Sequence, residues 1–66
     1  MKKVNVTKPL VLKKGKAIFG ETSKFTMWLN TDNATLECKP ITLWETKKGL
    51  SLIYDELVRI EHGVVC

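Results

Sequence analysis

The sequence predicts a mainly β fold, a small closed barrel of about five strands, on three observations. Residues Lys24 to Asn30 alternate, with Phe25, Met27 and Leu29 on one face and Thr26, Trp28 and Asn30 on the other. The cluster Asn30-Thr31-Asp32-Asn33 then favours a tight reversal, because its side chains cap their own turns and tolerate left-handed backbone. Finally, Leu50, Leu52 and Tyr54 alternate, as do Val58, Ile60 and His62. Between them Asp55-Glu56-Leu57 reads as one 3₁₀ turn, near 55–57.

The elements follow in chain order. Val4-Asn5-Val6-Thr7 alternates apolar and polar residues, and Leu10-Val11-Leu12 follows Pro9, which has no N–H to give a sheet ladder. This predicts an edge strand or two short extended pieces. Lys13-Lys14-Gly15-Lys16 reads as a turn, Ala17-Ile18-Phe19 as a short apolar segment and Gly20-Glu21-Thr22-Ser23 as a loop. After the hairpin turn, Ala34, Leu36 and Cys38 share one parity, whereas Ile41 and Leu43 share the other. A sheet face changes parity only through an extra residue, so a bulge or sharp bend is expected at Lys39-Pro40. Glu45-Thr46-Lys47-Lys48-Gly49 reads as a turn with its glycine at positive φ.

The last segment admits a second reading, an antiparallel sheet with a C-terminal helix over 51–62. At 100° per residue, Leu50, Ile53, Tyr54, Leu57, Val58 and Ile60 fall within an arc of about 160°. Ser51 suits the N-cap and Gly63 the position after the helix. Against this stand an outward Leu52 and a Glu61 near the middle of the apolar arc.

The order glycine, alternating aliphatics, tyrosine, leucine and then Arg59-Ile60 resembles the last two strands of SH3-like and Sm-like barrels, which a single 3₁₀ turn joins. The hairpin from Phe25 to Trp44 is similar to the bent central strands of those domains, with Pro40 at the bend. This resemblance covers residues 25–62 and concerns fold alone. It implies one domain over 1–66, with a basic N-terminal segment at 1–24, a barrel-like core at 25–62 and a tail at 63–66.

Sixty-six residues bury little surface, so association with a partner or a second copy would add stability. The net charge is +4, unevenly placed. Residues 1–24 carry seven lysines against Glu21 alone, whereas residues 25–66 carry four basic and six acidic groups. Such a basic segment suits an anionic partner, or serves to keep the chain soluble. Two cysteines, Cys38 and Cys66, make neither a disulfide scaffold nor a zinc site, and a reducing, cytoplasmic setting fits them. No apolar run spans a membrane.

Catalysis requires convergent nucleophile, base, acid or metal ligands. His62 stands alone, Asp55 and Glu56 are adjacent and read as turn residues, and Cys38 reads as a small buried hydrophobe. Lys13-Lys14-Gly15-Lys16 lacks the spacing of a phosphate loop. The chain therefore reads as a non-enzyme with no cofactor, no metal and no small-molecule substrate. The leading functional reading is a binding module for nucleic acid. Its surface would comprise Lys13, Lys14, Lys16, Lys24, Lys39, Lys47 and Lys48 around two outward aromatics, Trp28 and Trp44, on which bases stack. The competing reading is a protein-interaction module, an accessory or inhibitor protein of phage or mobile-element type, or a homo-oligomer with its tryptophans in the interface. Salt separates the two classes, because phosphate contacts weaken steeply as ionic strength rises.

Overall fold

Thr7 starts the first helix. Its hydroxyl oxygen accepts from the Leu10 N–H at 3.4 Å, and Pro9 occupies the first turn, where a missing N–H costs nothing. In the computed structural model, which describes residues 6–63, α1 runs Lys8–Phe19, α2 runs Thr22–Leu29, a 3₁₀ turn spans Pro40–Leu43 and α3 runs Lys47–Gly63. Among the described residues no strand occurs. The fold is mainly α. The SH3-like or Sm-like barrel of about five strands is overturned, as is the sheet of the second reading. Of that reading the helix alone remains, lengthened to Lys47–Gly63, and the expected 3₁₀ turn near 55–57 lies inside it.

Each misreading has a local cause. Phe25 and Leu29, two positions of the apparent strand, are also i and i+4, and both are buried on one face of α2, while Met27 is 69% exposed. Gly15, which suggested a turn, sits buried inside α1, because a Cβ there would lie 2.5 Å from the Phe25 ring. Gly20 does end α1: its φ is 86° and its N–H donates to the Lys16 carbonyl at 2.8 Å. The Asn30 amide donates to the Thr26 carbonyl at 2.9 Å and the Thr31 hydroxyl to the Met27 carbonyl at 2.7 Å, so these residues close α2. Among the described residues, all that pairs like a ladder afterwards is an isolated antiparallel bridge between Asn33 and Cys38 around a four-residue turn. There the Asn33 side chain accepts from the Leu36 N–H at 3.0 Å, and Glu37 takes a φ of 63°.

Pro40 opens the 3₁₀ turn and is fully buried. Thr46, not Ser51, caps α3: its hydroxyl oxygen accepts from the Gly49 N–H at 2.8 Å. Gly49 is helical, and the Leu43 carbonyl fills the space that a Cβ would need. No positive φ is involved.

The core is Val11, Phe25, Leu29, Leu50, Ile53 and Leu57, drawn from all three helices. Phe19, Phe25 and Trp28 form an aromatic group with ring centroids 5.9 to 6.0 Å apart. On α3 the buried residues are Gly49, Leu50, Ile53, Glu56 and Leu57. Their centre lies about 60° round the helix from the middle of the apolar arc, which leaves Tyr54 and Glu61 at the edge facing α1.

Candidate functional site

That edge, together with the side of α1 opposite it, makes a shallow groove of two adjoining hollows. The first is lined by Leu10, Lys13, Lys14, Ala17 and Tyr54, the second by Ala17, Ile18, Ile60 and Glu61. Ala17 belongs to both. Leu10 and Ala17 are seven residues apart, two helical turns or about 10 Å along α1.

One ion pair joins the groove's two walls: Lys14 Nζ lies 2.6 Å from Glu61 Oε1. The hydrogen bond from the ammonium pulls the Glu61 carboxyl below its ordinary range, and the same bond raises Lys14. Glu61 thus holds its place in the apolar arc of α3 by meeting a cation of α1. His62 Nε2 is 4.0 Å from the same oxygen. Elsewhere on α1, Lys8 approaches Glu45 at 3.7 Å. Lys13 and Lys16 make no ion pair among the described residues. Of the four lysines on α1, only Lys13 and Lys14 line the groove, and with Lys14 matched by Glu61 the groove's unmatched charge is Lys13.

A second polar feature lies on another side of α3. Glu56, 8% exposed, accepts from Arg59 Nε at 3.3 Å, and Arg59 Nη2 donates to the Thr35 hydroxyl at 3.0 Å. This chain of contacts ties the 33–38 turn to α3.

The nine residues singled out from the sequence are dispersed by the helical fold. Lys13 and Lys14 line the groove, and Lys16 is exposed farther round α1. Lys24 is exposed on α2, one turn before Trp28. Lys39 precedes the 3₁₀ turn, while Lys47 and Lys48 stand exposed in the first turn of α3. The sheet face that was to carry both tryptophans does not exist. Trp28 and Trp44 are half-buried and pack against the core from separate elements. Cys38 is half-buried, and Cys66 lies outside the described residues, as do Met1 to Asn5 and Val64 to Val65. Asp55 is exposed on α3 while its neighbour Glu56 is buried, because adjacent helical residues point about 100° apart. Sequence reasoning did not find Leu10, Ala17, Tyr54, Ile60 and Glu61 as a group. The signal was available in Glu61, a lone carboxylate within an apolar arc, which calls for a cation on the neighbouring helix.

Among the described residues no three His, Cys, Asp or Glu side chains gather as metal ligands, and no helix is long and apolar enough to cross a membrane. What the described residues define is a packing of three helices with an open interhelical groove. Residues 14–63 match the family model of the antitoxin Xre/MbcA/ParS C-terminal toxin-binding domain, and the chain belongs to that family. No curated protein and no solved structure matches it. The family corrects the barrel resemblance and turns the functional reading toward a protein partner. Nothing in the fold or the family supports nucleic acid.

Proposed function

We propose that this chain is the toxin-binding part of an antitoxin, a non-catalytic accessory protein whose partner is a protein toxin in the cytoplasm. The family match over residues 14–63 carries the reading, since it takes in the end of α1 and all of α2, the 3₁₀ turn and α3. The small core supports it too, because six buried apolar side chains make it up among the described residues, and a partner that binds only the folded state adds stability.

Co-expression of the full chain with the product of the gene adjoining its own tests this. The expected outcome is one complex on size exclusion that persists from about 50 to 500 mM salt, together with relief of the growth arrest that the product causes alone. A protein interface responds little to salt across that range, whereas a phosphate-bound complex weakens by orders of magnitude. Separate elution of the two chains, with growth arrest unrelieved, would overturn the reading.

A further inference from the structure

We infer that the groove between α1 and α3 is where the toxin docks, and that it receives an apolar segment flanked by a carboxylate. This rests on the toxin-binding reading above and adds to it a surface and a partner chemistry.

Three observations converge. The two hollows share Ala17, a residue whose small side chain leaves the groove floor open between Leu10 and Ile18, with Tyr54 and Ile60 on the opposite wall. Two apolar side chains about 10 Å apart, as a helix presents at i and i+7, match that length. The charge is one-sided: Lys13 and Lys14 line the α1 wall with no acid beside them on that helix, and Lys13, at the groove's edge, has no ion-pair partner among the described residues. An incoming carboxylate beside the apolar anchor would complete Lys13, whereas an incoming cation would meet Lys13 and Lys14 unfavourably. The neighbouring Lys14 is already satisfied by Glu61 across the groove, so the unmatched positive charge lies on the rim and not on the floor.

The test measures the dissociation constant of the purified chain for the adjoining gene's product by calorimetry. Ala17→Arg fills both hollows and should weaken binding at least 30-fold. Lys13→Glu, an exposed change that leaves packing alone, should weaken it about tenfold. Two matched changes on α2, Met27→Arg and Lys24→Glu, should leave it within twofold. Circular dichroism on each variant checks that the helices persist. If Ala17→Arg and Lys13→Glu bind like the parent chain, the groove assignment is wrong although the toxin-binding reading stands. Equal weakening by Lys24→Glu and Lys13→Glu would also overturn it, since the lysines would then act as general charge. If the parent chain does not bind the product, both readings fall together.

Discussion

The two long sides of α3 differ in what they leave for a partner. On one, Leu50, Ile53 and Leu57 are at most 6% exposed, and Gly49 is pressed against the backbone of the 3₁₀ turn. On the other, Tyr54 is only half-buried and Glu61 reaches across to Lys14. The first side is finished by the chain itself. The second is bridged at one point and otherwise open, and the contrast teaches that folding and binding draw on different residues of one helix. Substitutions on the closed side should act on stability, whereas those on the open side should act on association.

Gly49 offers the most severe test of the closed side. A Cβ at this position would meet the carbonyl of Leu43 and lie 2.8 Å from the Thr46 hydroxyl. Backbone in a 3₁₀ turn cannot swing aside as a side chain can, so Gly49→Ala should cost more than about 3 kcal/mol despite alanine's better helix propensity. A domain of this size has on the order of 3 to 10 kcal/mol in all. The expected result is loss of a cooperative urea transition, or one shifted to far lower urea. An unchanged midpoint would show that α3 and the 3₁₀ turn are not packed together as described.

Gly15 repeats the arrangement on α1 with a softer neighbour. Here the Cβ would stand 2.5 to 2.6 Å from three atoms of the Phe25 ring, which is itself fully buried between Phe19 and Trp28. Overpacking of about 1 to 3 kcal/mol competes with a gain of about 1 kcal/mol in helix propensity. The clash wins. Gly15→Ala should lower Tm by roughly 5 to 10 °C, at about 4 to 8 °C per kcal/mol for a small domain. Combining it with Phe25→Leu should cost less than the two single changes added, because the smaller side chain vacates the contested space. Simple additivity would place the strain elsewhere.

The same two glycines explain much of what could and could not be read in advance. The helix over 51–62 was legible, because an apolar arc of Leu50, Ile53, Tyr54 and Leu57 repeats at helical spacing. Its start was not, since Lys47-Lys48-Gly49 resembles a turn until Leu43 is seen to require the glycine. In α1, Thr7 and Pro9 carried a recognisable start signal, but Gly15 hid the helix behind it. Phe25 and Leu29 fit both periods, and in a helix of eight residues the outward Met27 alone separates alternation from i, i+4 spacing. The lysines on the rim were legible as charge, yet the groove was not: a hollow between residues 10–18 and 54–61 exists only once the two helices lie side by side. Local chemistry marks caps and charges, whereas the reason for a buried glycine lies in the element packed against it.

The smallest effect concerns the open side. Because Lys14 holds the Glu61 carboxyl below its ordinary value of 4.5, the ionised form is favoured by folding, and that contribution is full above pH 4.5 and fades as pH falls through the lowered value. Lys14 is raised above its ordinary 10.5, so its share is full below that pH and is lost as pH climbs through the raised value. Between these limits the pair is intact. Glu61→Gln should therefore lower Tm slightly at pH 7, and the difference from the parent chain should close in strong acid. Glu61 is exposed and Lys14 half-buried, so 0.5 M salt at pH 7 should narrow the same difference. A large loss at pH 7 that ignores salt would make the bridge part of the closed core. The contrast between the two sides of α3 would then have to be redrawn with the groove as structure and not as a surface left for a partner.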